Sequence, residues 1–464
     1  MKGMTLEAMA KACHGQLIGA NSIQYLNAQG IVTDSRKVKD GYVFAALRGE
    51  RTDGHNFIAQ VFESGALAVI SEQRLDISRP YILVESSKQA IKDLAAFYLS
   101  GLNLKVTGIS GSVGKTSTKE MIASVLSQKF KVHRTEGNFN NEIGLPLTIF
   151  KIRDEHQAAV LEMGISEPGE MHRLASISRP NIAVITNIGL AHLKTLHSRE
   201  GILKAKTEMF DHLKDHAAVI LNGDDDMLST IAQVQGKEPV FYGIGTEKPR
   251  TAVYNSKTLY ASDIESLGLK GIRLVIHTPE GDFHTRIPIP GRHNIYNALA
   301  AAAVGRQLGL TNEEIKAGIE HARTIDGRTN LIESRGMTII DDCYNANPVS
   351  MKASIDVLST ADGRTIAVLG DMGDLGENER SLHYDVGVHL ASKKIDVLFC
   401  AGTLIQETAR AAVQQNPDCE VHVFASRDEM LKELLPFLRE GDSVLIKASH
   451  FMEFHEVVEE IITM

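Results

Sequence analysis

The sequence predicts an α/β protein whose parallel sheets are covered by helices. Between residues 105 and 245, short apolar runs recur between helix-like stretches, an alternation typical of a parallel sheet with helices on both faces. The same alternation starts again after Asp326-Gly327-Arg328, which indicates a second, independent α/β domain. A glycine-rich loop at 108–114 joins the first apolar run to a helix-like segment.

The elements between 105 and 308 follow from local patterns. A helix is predicted over 118–126, directly after the glycine-rich loop. Two alternating runs at 273–277 and 283–287 flank the turn residues 279–282, which predicts a β-hairpin. An alanine-rich helix over 294–308 follows the hairpin. The parallel strands of this region are predicted at 105–109, 159–162, 182–185, 218–221 and 240–242.

The two ends of the chain differ from each other. The first hundred residues have short strands and many turns, around Asp40-Gly41 and Asp53-Gly54. At 464 residues the chain is too long for one ordinary core, and we place domain boundaries near residues 102 and 327, giving domains 1–102, 103–326 and 327–464. Strands of the last region are predicted at 338–340, 365–369, 397–399, 421–424 and 444–446.

Composition disfavours several classes of protein. The four cysteines are scattered and lack C-x-x-C spacing, which argues against a disulfide framework and a structural zinc site and fits a reducing cytosol. Residues 1–16 lack the apolar core of a signal peptide, and no apolar run approaches the length of a membrane span. The net charge of −9, without a long basic run, gives no support to nucleic-acid binding. We expect a soluble, cytoplasmic protein without membrane insertion.

The glycine-rich loop has the residues of a phosphate-binding loop. In Gly111-Ser112-Val113-Gly114-Lys115-Thr116-Ser117, glycines let backbone N–H groups turn toward phosphate oxygens, Lys115 can reach the β- and γ-phosphates, and the Thr116 hydroxyl can ligate Mg²⁺. Ile109 stands where the common loop has its first glycine, so the match is to the shorter G-x-x-G-K-T-[ST] form. We predict that this loop binds a nucleoside triphosphate; the alternative is a glycine-rich turn before a surface helix.

Two further side chains follow predicted strands. Glu162 ends a strand, where open α/β sheets bind ligands, and its carboxylate suits Mg²⁺. A helix-capping or solvated role for Glu162 is the less favoured alternative. His192 follows the next strand in the same way, and by itself it is more typical of a hydrogen-bonded structural histidine.

Two polar segments carry an unusual number of amide groups. The segment 136–146 contains Asn138, Asn140 and Asn141, which suit a hydroxylated ligand but also a long turn. The segment 341–348 ends in Pro348 and follows a strand. A strand-to-helix loop explains its proline, but not its four amide or carboxylate groups.

Together these segments resemble the Mur ligases, ATP-dependent amide-forming enzymes of peptidoglycan precursor synthesis, over the whole chain. The segment 342–348 looks like the version in members that add D-alanyl-D-alanine, and 33–36, 44–49 and 53–55 are similar to the amino-terminal domain that holds the UDP-sugar. The central motifs that match are 111–117, 137–141, 161–164, 187–192 and 291–297.

The resemblance implies three α/β domains: a UDP-sugar-binding domain, a central ATPase with a P-loop on a parallel sheet, and a Rossmann-like carboxyl-terminal domain for the incoming dipeptide. It implies that ATP drives the joining of D-alanyl-D-alanine to UDP-N-acetylmuramoyl-tripeptide through an acyl phosphate. We expect a monomer. Two alternatives stay open: a related ligase that adds one amino acid, and a nucleotide-binding regulator that has lost ligation.

The resemblance also implies roles for individual residues. Catalysis is assigned to Lys115, Glu162, His192 and Lys206, and Mg²⁺ binding to Thr116, Glu162, His192 and Lys206, the last as a carbamate formed with CO₂. ATP binding is assigned to residues 111–117 with Asn294, Asn297, Arg328 and Asp342, the UDP-sugar to Ser35, Arg36, Asn138, Asn140 and Asn141, and the dipeptide to Tyr344, Asn345 and Asn347.

Two places in the sequence leave these residue assignments open: the choice between Lys204 and Lys206, and the segment 447–450. Lys204 fits a helix-surface lysine better than Lys206, but a change of helical register would exchange the two. Near the end, Lys447-Ala448-Ser449-His450 stands where the resemblance leads us to expect Lys-Gly-Ser-Arg. Histidine cannot reproduce the two-pronged donor of arginine, and Ala448 lacks the freedom of glycine at positive φ.

Overall fold

A computed structural model describes residues 1–19, 23–50, 52–190, 192–245 and 258–464. Within these ranges the chain forms three sheets with helices packed on them, which confirms the predicted α/β class. None of the helices in the described ranges is both long and apolar enough to cross a bilayer.

The first sheet has the strand order β1-β5-β4-β3-β2, and among its described residues only the β1–β5 pair is antiparallel. Its strands are β1 (Gln16–Ile18), β2 (Gly30–Val32), β3 (Tyr42–Ala45), β4 (Ala68–Ser71) and β5 (Tyr81–Leu83). The accompanying helices are α1 (Leu6–Ala12), α2 (Ile58–Glu63) and α3 (Ser87–Ser100).

The central sheet has the order β14-β13-β12-β11-β10-β9-β6-β8-β7, parallel from β7 to β12. The predicted hairpin is confirmed as β13 and β14. The strands are β6 (Lys105–Ser110), β7 (Val132–Arg134), β8 (Ala158–Glu162), β9 (Ile182–Ile185), β10 (Ala218–Asn222), β11 (Val240–Ile244), β12 (Leu259–Ser266), β13 (Ile272–Thr278) and β14 (Gly281–Ile287). The helices are α4 (Lys115–Leu126), α5 (Gly144–Ile149), α6 (Glu170–Ser178), α7 (Leu193–Leu196), α8 (Arg199–Thr207), α9 (His293–Gln307) and α10 (Asn312–Glu320).

The third sheet has the order β15-β16-β20-β17-β18-β19, and its only antiparallel pair in the described residues is β15–β16. All five strands predicted for this region are present. The strands are β15 (Asn330–Ser334), β16 (Met337–Asp341), β17 (Arg364–Gly370), β18 (Val397–Ala401), β19 (Glu420–Phe424) and β20 (Asp442–Lys447). The helices are α11 (Pro348–Leu358), α12 (Glu379–Ser392), α13 (Gln406–Gln415), α14 (Arg427–Phe437) and α15 (His455–Thr463).

The strand order of the central sheet brings several loops together at one edge. Strand β6 lies between β8 and β9, and β10 lies beside β9. Because these strands are parallel, the loops that follow them meet at one edge, where open α/β sheets bind ligands. One face of the sheet shares a core with the first sheet, and the other is buried beneath α4 and α9.

Helix α4, which begins within the phosphate-loop motif, packs closely against helix α10. A Cβ atom built on Gly318 of α10 would lie 2.3 Å from the Val125 Cα atom of α4. Real Cβ atoms do not approach backbone so closely, so any larger residue at this position must push the two helices apart.

We therefore expect Gly318→Ala to lower the thermal midpoint of unfolding. Overpacking typically costs about 1–3 kcal/mol, and the better helix propensity of alanine, about 1 kcal/mol, offsets only part of it. Gly101→Ala is the matched control, because its backbone is right-handed and its Cβ would meet nothing closer than 3.5 Å. Thermal unfolding followed by circular dichroism measures both, and equal midpoints for the two variants would contradict the packing argument.

Candidate active site

A cavity of about 760 Å³ lies between the central sheet and the third sheet. It opens where the loops after β6, β8, β9 and β10 meet the start of α11. The predicted site residues that line it are Ser112, Val113, Gly114, Lys115, Thr116, Ser117, Asn138, Asn140, Glu162, Asn297, Arg328, Asp342, Tyr344, Asn345 and Asn347. Those that the structure places outside its lining are Ser35, Arg36, Gly111, Asn141, His192, Lys206 and Asn294.

The phosphate loop is clamped by the segment after β9. The Val113 carbonyl accepts hydrogen bonds from Thr186 Oγ1 at 2.7 Å and Asn187 Nδ2 at 2.8 Å. A Cβ atom on Gly111 would lie 1.9 Å from Thr186 Oγ1, so only glycine fits this approach. Gly114 precedes α4 with φ of +82°. The loop is therefore held in one shape at the amino end of α4, which suits phosphate binding.

Two lysine ammonium groups converge beneath the loop. Lys115 Nζ and Lys206 Nζ donate to the same Gly111 carbonyl, at 2.9 and 3.0 Å. Lys206 is only 1% exposed, and burial, followed by the charge of Lys115, holds its pKa well below its usual range. Lys204 is exposed on the same helix. The structure thus decides the register left open by the sequence: Lys206 is the inward lysine.

Glu162 is held at the end of β8 by one partner from the start of α4 and one from the loop between β7 and α5. Thr116 Oγ1 donates to its Oε2 atom at 3.0 Å, and Asn140 Nδ2 donates to its Oε1 atom at 2.9 Å. The carboxylate is 2% exposed. The buried Lys119 Nζ lies 3.9 Å from Oε2; sequence reasoning missed it because a lysine within a helix is typical of a solvated face.

The arrangement of Thr116 and Glu162 fits Mg²⁺. Both offer oxygen donors, and Mg²⁺ is usually bound by one or two carboxylates together with substrate phosphates and water. The described residues contain no group of three or more His, Cys, Asp or Glu side chains able to hold a metal. A metal here would thus depend on phosphate oxygens for part of its coordination.

His192 lies near the two lysines in a strained conformation. Its φ is +58°, which is uncommon for a residue other than glycine. Burial, and then the charges of Lys206 and Lys115, lower its pKa. This direction favours the uncharged imidazole, the form that accepts a hydrogen bond or binds a metal.

Asn294 and Asn297 belong to a buried chain of hydrogen bonds. Thr118 Oγ1 donates to Asn297 Oδ1 at 2.7 Å, Asn297 Nδ2 donates to Asn294 Oδ1 at 2.8 Å, and Asn294 Nδ2 donates to the Pro290 carbonyl at 2.8 Å. This chain ties α9 to α4. Only Asn297 of the two reaches the cavity, since Asn294 lies one layer behind it.

Asp342 is held by its own domain. Lys447 Nζ donates to its Oδ2 atom at 2.6 Å, and the Thr329 backbone N–H donates to its Oδ1 atom at 3.0 Å. Lys447 is 2% exposed. This buried ion pair joins the ends of β16 and β20 directly beside the cavity.

The dipeptide candidates have unequal roles. Arg328 lies with its guanidinium carbon 4.2 Å from the centroid of the Tyr344 ring, and the His450 ring centroid lies 5.6 Å from that of Tyr344. Asn347 caps α11, because its Oδ1 accepts from the Ser350 N–H at 2.9 Å. Asn345 Oδ1 accepts from the next backbone N–H. The alternative that the segment 341–348 is a strand-to-helix loop therefore accounts for Asn347, which caps the helix. The side chains of Tyr344 and His450 remain available to a ligand.

The UDP-sugar candidates are dispersed. Arg36 forms two hydrogen bonds of 2.9 Å with Asp34, and its side chain is 84% exposed. Ser35 opens a 3₁₀ turn over Ser35–Lys37. Asn141 accepts from the backbone N–H of Gly144 at 2.8 Å, a capping role, whereas Asn138 lines the cavity.

Sequence reasoning missed the acidic run after β10. Asp224 Oδ2 accepts from the Tyr296 hydroxyl at 3.0 Å, and Asp225 Oδ2 accepts from the Ile188 N–H at 2.8 Å. Both line the cavity, as does Asp226. The rule that selected Glu162, a carboxylate at the carboxyl end of a parallel strand, would have found them.

Comparisons with family models and with a known relative indicate the same family, and together they span nearly the whole chain. Three family models match: "Mur ligase family, catalytic domain" at 27–104, "Mur ligase middle domain" at 109–305 and "Mur ligase, glutamate ligase domain" at 327–450. A UDP-N-acetylmuramoyl-tripeptide–D-alanyl-D-alanine ligase of Bacillus subtilis is 36% identical over 464 residues, covering 99% of this chain and 98% of the relative.

Solved structures show the same likeness. MurF from Acinetobacter baumannii superimposes with a TM-score of 0.88 at 33% identity, covering 99% of each chain. MurF ligase from Thermotoga maritima, solved in complex with ADP, has a TM-score of 0.81 at 30% identity, covering 94% of this chain and 97% of that one.

We expect Lys115→Ala to bind ATP at least tenfold more weakly while the fold stays intact. A hydrogen bond to a charged group is worth about 1.5–3 kcal/mol, and the hydrogen bond to the Gly111 carbonyl is local to the loop. Titration calorimetry with ATP measures the affinity, and Lys204→Ala is the matched control. Unchanged affinity in Lys115→Ala would remove this lysine from phosphate binding.

Proposed function

The chain belongs to the Mur ligase family, and on that premise we propose that it joins D-alanyl-D-alanine to UDP-N-acetylmuramoyl-tripeptide with consumption of ATP. The observation that carries this assignment is the full-length likeness, at 36% identity, to a relative of that name. The clamped phosphate loop and the Glu162–Thr116 pair lie on the cavity of the present chain, as a working ligase requires.

Each domain takes one substrate in this proposal. Residues 1–102 hold the UDP-sugar with Ser35 and Arg36, and Asn138 of residues 103–326, which lines the cavity, contributes to binding the same substrate. Residues 103–326 bind ATP through the phosphate loop. Residues 327–464 present the dipeptide, with Tyr344 as the aromatic contact. The proposal includes a cytoplasmic location and a monomeric state. The four cysteines are buried free thiols whose pKa values are raised by burial, which fits a reducing cytosol.

The chemistry follows from the charges that must meet. A carboxylate is a poor acylating agent, because its leaving group would be oxide. Transfer of the γ-phosphoryl group converts it into an acyl phosphate, which the dipeptide amine attacks with release of phosphate. Both reactants in the first step are anions, so cationic groups at the phosphates lower the barrier.

Lys115 and Arg328 supply those cations from the protein. Burial away from water lowers the pKa of Lys115. The negative charge of Glu162 raises the same pKa, and the positive charge of Arg328 lowers it further. The Arg328 Nε atom is buried and, among the described residues, has no hydrogen-bond partner. A phosphate oxygen between these two side chains would accept hydrogen bonds from the Lys115 ammonium group and from the Arg328 guanidinium group. Mg²⁺ on Thr116 and Glu162 would neutralise further phosphate charge when bound.

Lys206 serves in this proposal as a carbamate. Its burial favours the neutral amine, whose lone pair attacks CO₂ with loss of one proton to solvent. The remaining N–H can keep its hydrogen bond to the Gly111 carbonyl, now 3.0 Å away. Conversion of this amine into an anionic carbamate places a negative charge near Lys115, where the two charges attract, and supplies anionic oxygens near His192.

A phosphate-release assay tests the assignment. With UDP-N-acetylmuramoyl-tripeptide and ATP, we expect sustained phosphate release only when D-alanyl-D-alanine is also present. Release with a single amino acid instead would favour the related ligase that adds one residue. Nucleotide binding without release under any of these conditions would favour the non-catalytic regulator; the retained contacts of Lys115, Glu162 and Lys206 argue against that outcome.

Lys206→Ala should lose most ligation activity and regain part of it when acetate or formate is supplied. A small carboxylate can place anionic oxygens in the space vacated by the side chain. Lys204→Ala, on the exposed face of the same helix, should keep normal activity and show no rescue. Steady-state phosphate release measures both, together with the intact mass of the protein in bicarbonate. Near-normal activity of Lys206→Ala would disprove the carbamate role.

His450→Arg should lower KM for D-alanyl-D-alanine, by up to about tenfold, while KM for ATP stays unchanged. Arginine can form paired hydrogen bonds to a carboxylate, and His450 lies beside Tyr344. His455→Arg, which adds the same charge to an exposed position nearby, is the control. Equal changes in both KM values would place residue 450 away from the dipeptide.

A further inference from the structure

Two histidines outside the active site face each other through their Nε2 atoms. His172 lies on α6, and His212 ends the 3₁₀ turn Glu208–His212 that follows α8. Their Nε2 atoms are 3.1 Å apart, and their rings meet edge to face, with centroids 4.3 Å apart. Neither side chain lines the cavity of the proposed ligase site.

Asp211 orients this pair. Its Oδ2 atom lies 3.0 Å from His172 Nδ1, so Nδ1 carries the proton and the Nε2 lone pair points toward His212. A carboxylate behind a histidine in this way fixes the ring and raises its basicity, as it does for metal-binding histidines.

We propose that His172 and His212 form a binding site for a divalent transition metal of the zinc class. Two imidazole nitrogens on a tetrahedral ion, each 2.0–2.1 Å from it, stand about 3.3 Å apart. The observed 3.1 Å is already close to this separation, so an ion can enter with small ring rotations. Without metal, His212 Nε2–H donates to His172; on binding, that proton moves to His212 Nδ1.

The ligands select the class of metal. Imidazole nitrogens suit Zn²⁺, Cu²⁺ and Ni²⁺, whereas Mg²⁺ prefers oxygen, so this site is chemically distinct from the Thr116–Glu162 pair. It has two protein ligands, with water completing the coordination, and is thus smaller than the three-residue groups absent from the described ranges. The His172 side chain is 52% exposed, which gives an ion access from solvent.

A bound ion would cross-link two elements behind the active site. The Glu208 carboxylate already accepts from the backbone N–H of Gly169 at 3.0 Å and that of His172 at 3.3 Å, which ties the 3₁₀ turn to the start of α6. Metal between His172 and His212 adds a second tie. The turn continues directly from α8, which carries Lys206, so occupancy of the site stabilises the support of that lysine.

The test is ZnCl₂ titration of the metal-free full-length protein by calorimetry, without nucleotide or Mg²⁺. We expect wild type to bind one zinc ion at this pair, and His172→Ala and His212→Ala each to lose at least tenfold in affinity. Asp211→Asn should weaken binding about tenfold or more, as loss of an orienting partner does. His216→Ala, an exposed histidine in the same stretch, should bind as wild type does.

Thermal unfolding gives a second readout that does not depend on ligation activity. Zinc should raise the unfolding midpoint of wild type and His216→Ala, because a ligand that binds only the folded state stabilises it, and should leave both pair variants unchanged. Zinc affinity in the two pair variants equal to that of wild type would overturn the site. Absence of zinc binding to wild type would do the same and leave the contact an ordinary N–H···N hydrogen bond.

Discussion

Two lysine side chains that share the carbonyl oxygen of Gly111 set the electrostatics of this protein. Lys115 and Lys206 donate to it at 2.9 and 3.0 Å, which brings the two side-chain nitrogens close together, and like charges held close together in a buried place repel each other. The pKa values of both are lowered, burial being the main cause. Burial, and then the same two charges, lower the pKa of His192. Of the two lysines, Lys115 lines the cavity, so its side chain is placed to meet an anion bound there.

The surrounding fold makes that arrangement possible. Gly111 has no room for a side chain beside Thr186, and Val113 is held by hydrogen bonds from Thr186 and Asn187. These bonds cross from β6 to β9, two strands that are neighbours in the sheet. The phosphate loop is thus shaped by the adjacent strand connection, which holds its backbone at Val113 in place.

The carboxyl-terminal domain contributes through a second buried pair. Lys447 and Asp342 join β20 to β16 at the cavity wall, and removing either partner would leave an uncompensated buried charge. Beside them, Arg328 lies over Tyr344 with its Nε atom buried. The proposed ligase chemistry uses this geometry, since Arg328 and Lys115 both line the cavity.

Local patterns in the sequence determined the α/β class, the β13–β14 hairpin, the phosphate loop and the placement of Glu162 at the end of a strand, because each depends on residues close together in the chain. Tertiary packing alone decided that Lys206, not Lys204, points inward, since its partner Gly111 is 95 residues away. The same holds for Lys119 beside Glu162, for the Asp224–Tyr296 contact and for His172 against His212. These contacts join side chains on different elements, and no local spacing records which side chains meet when sheets and helices pack.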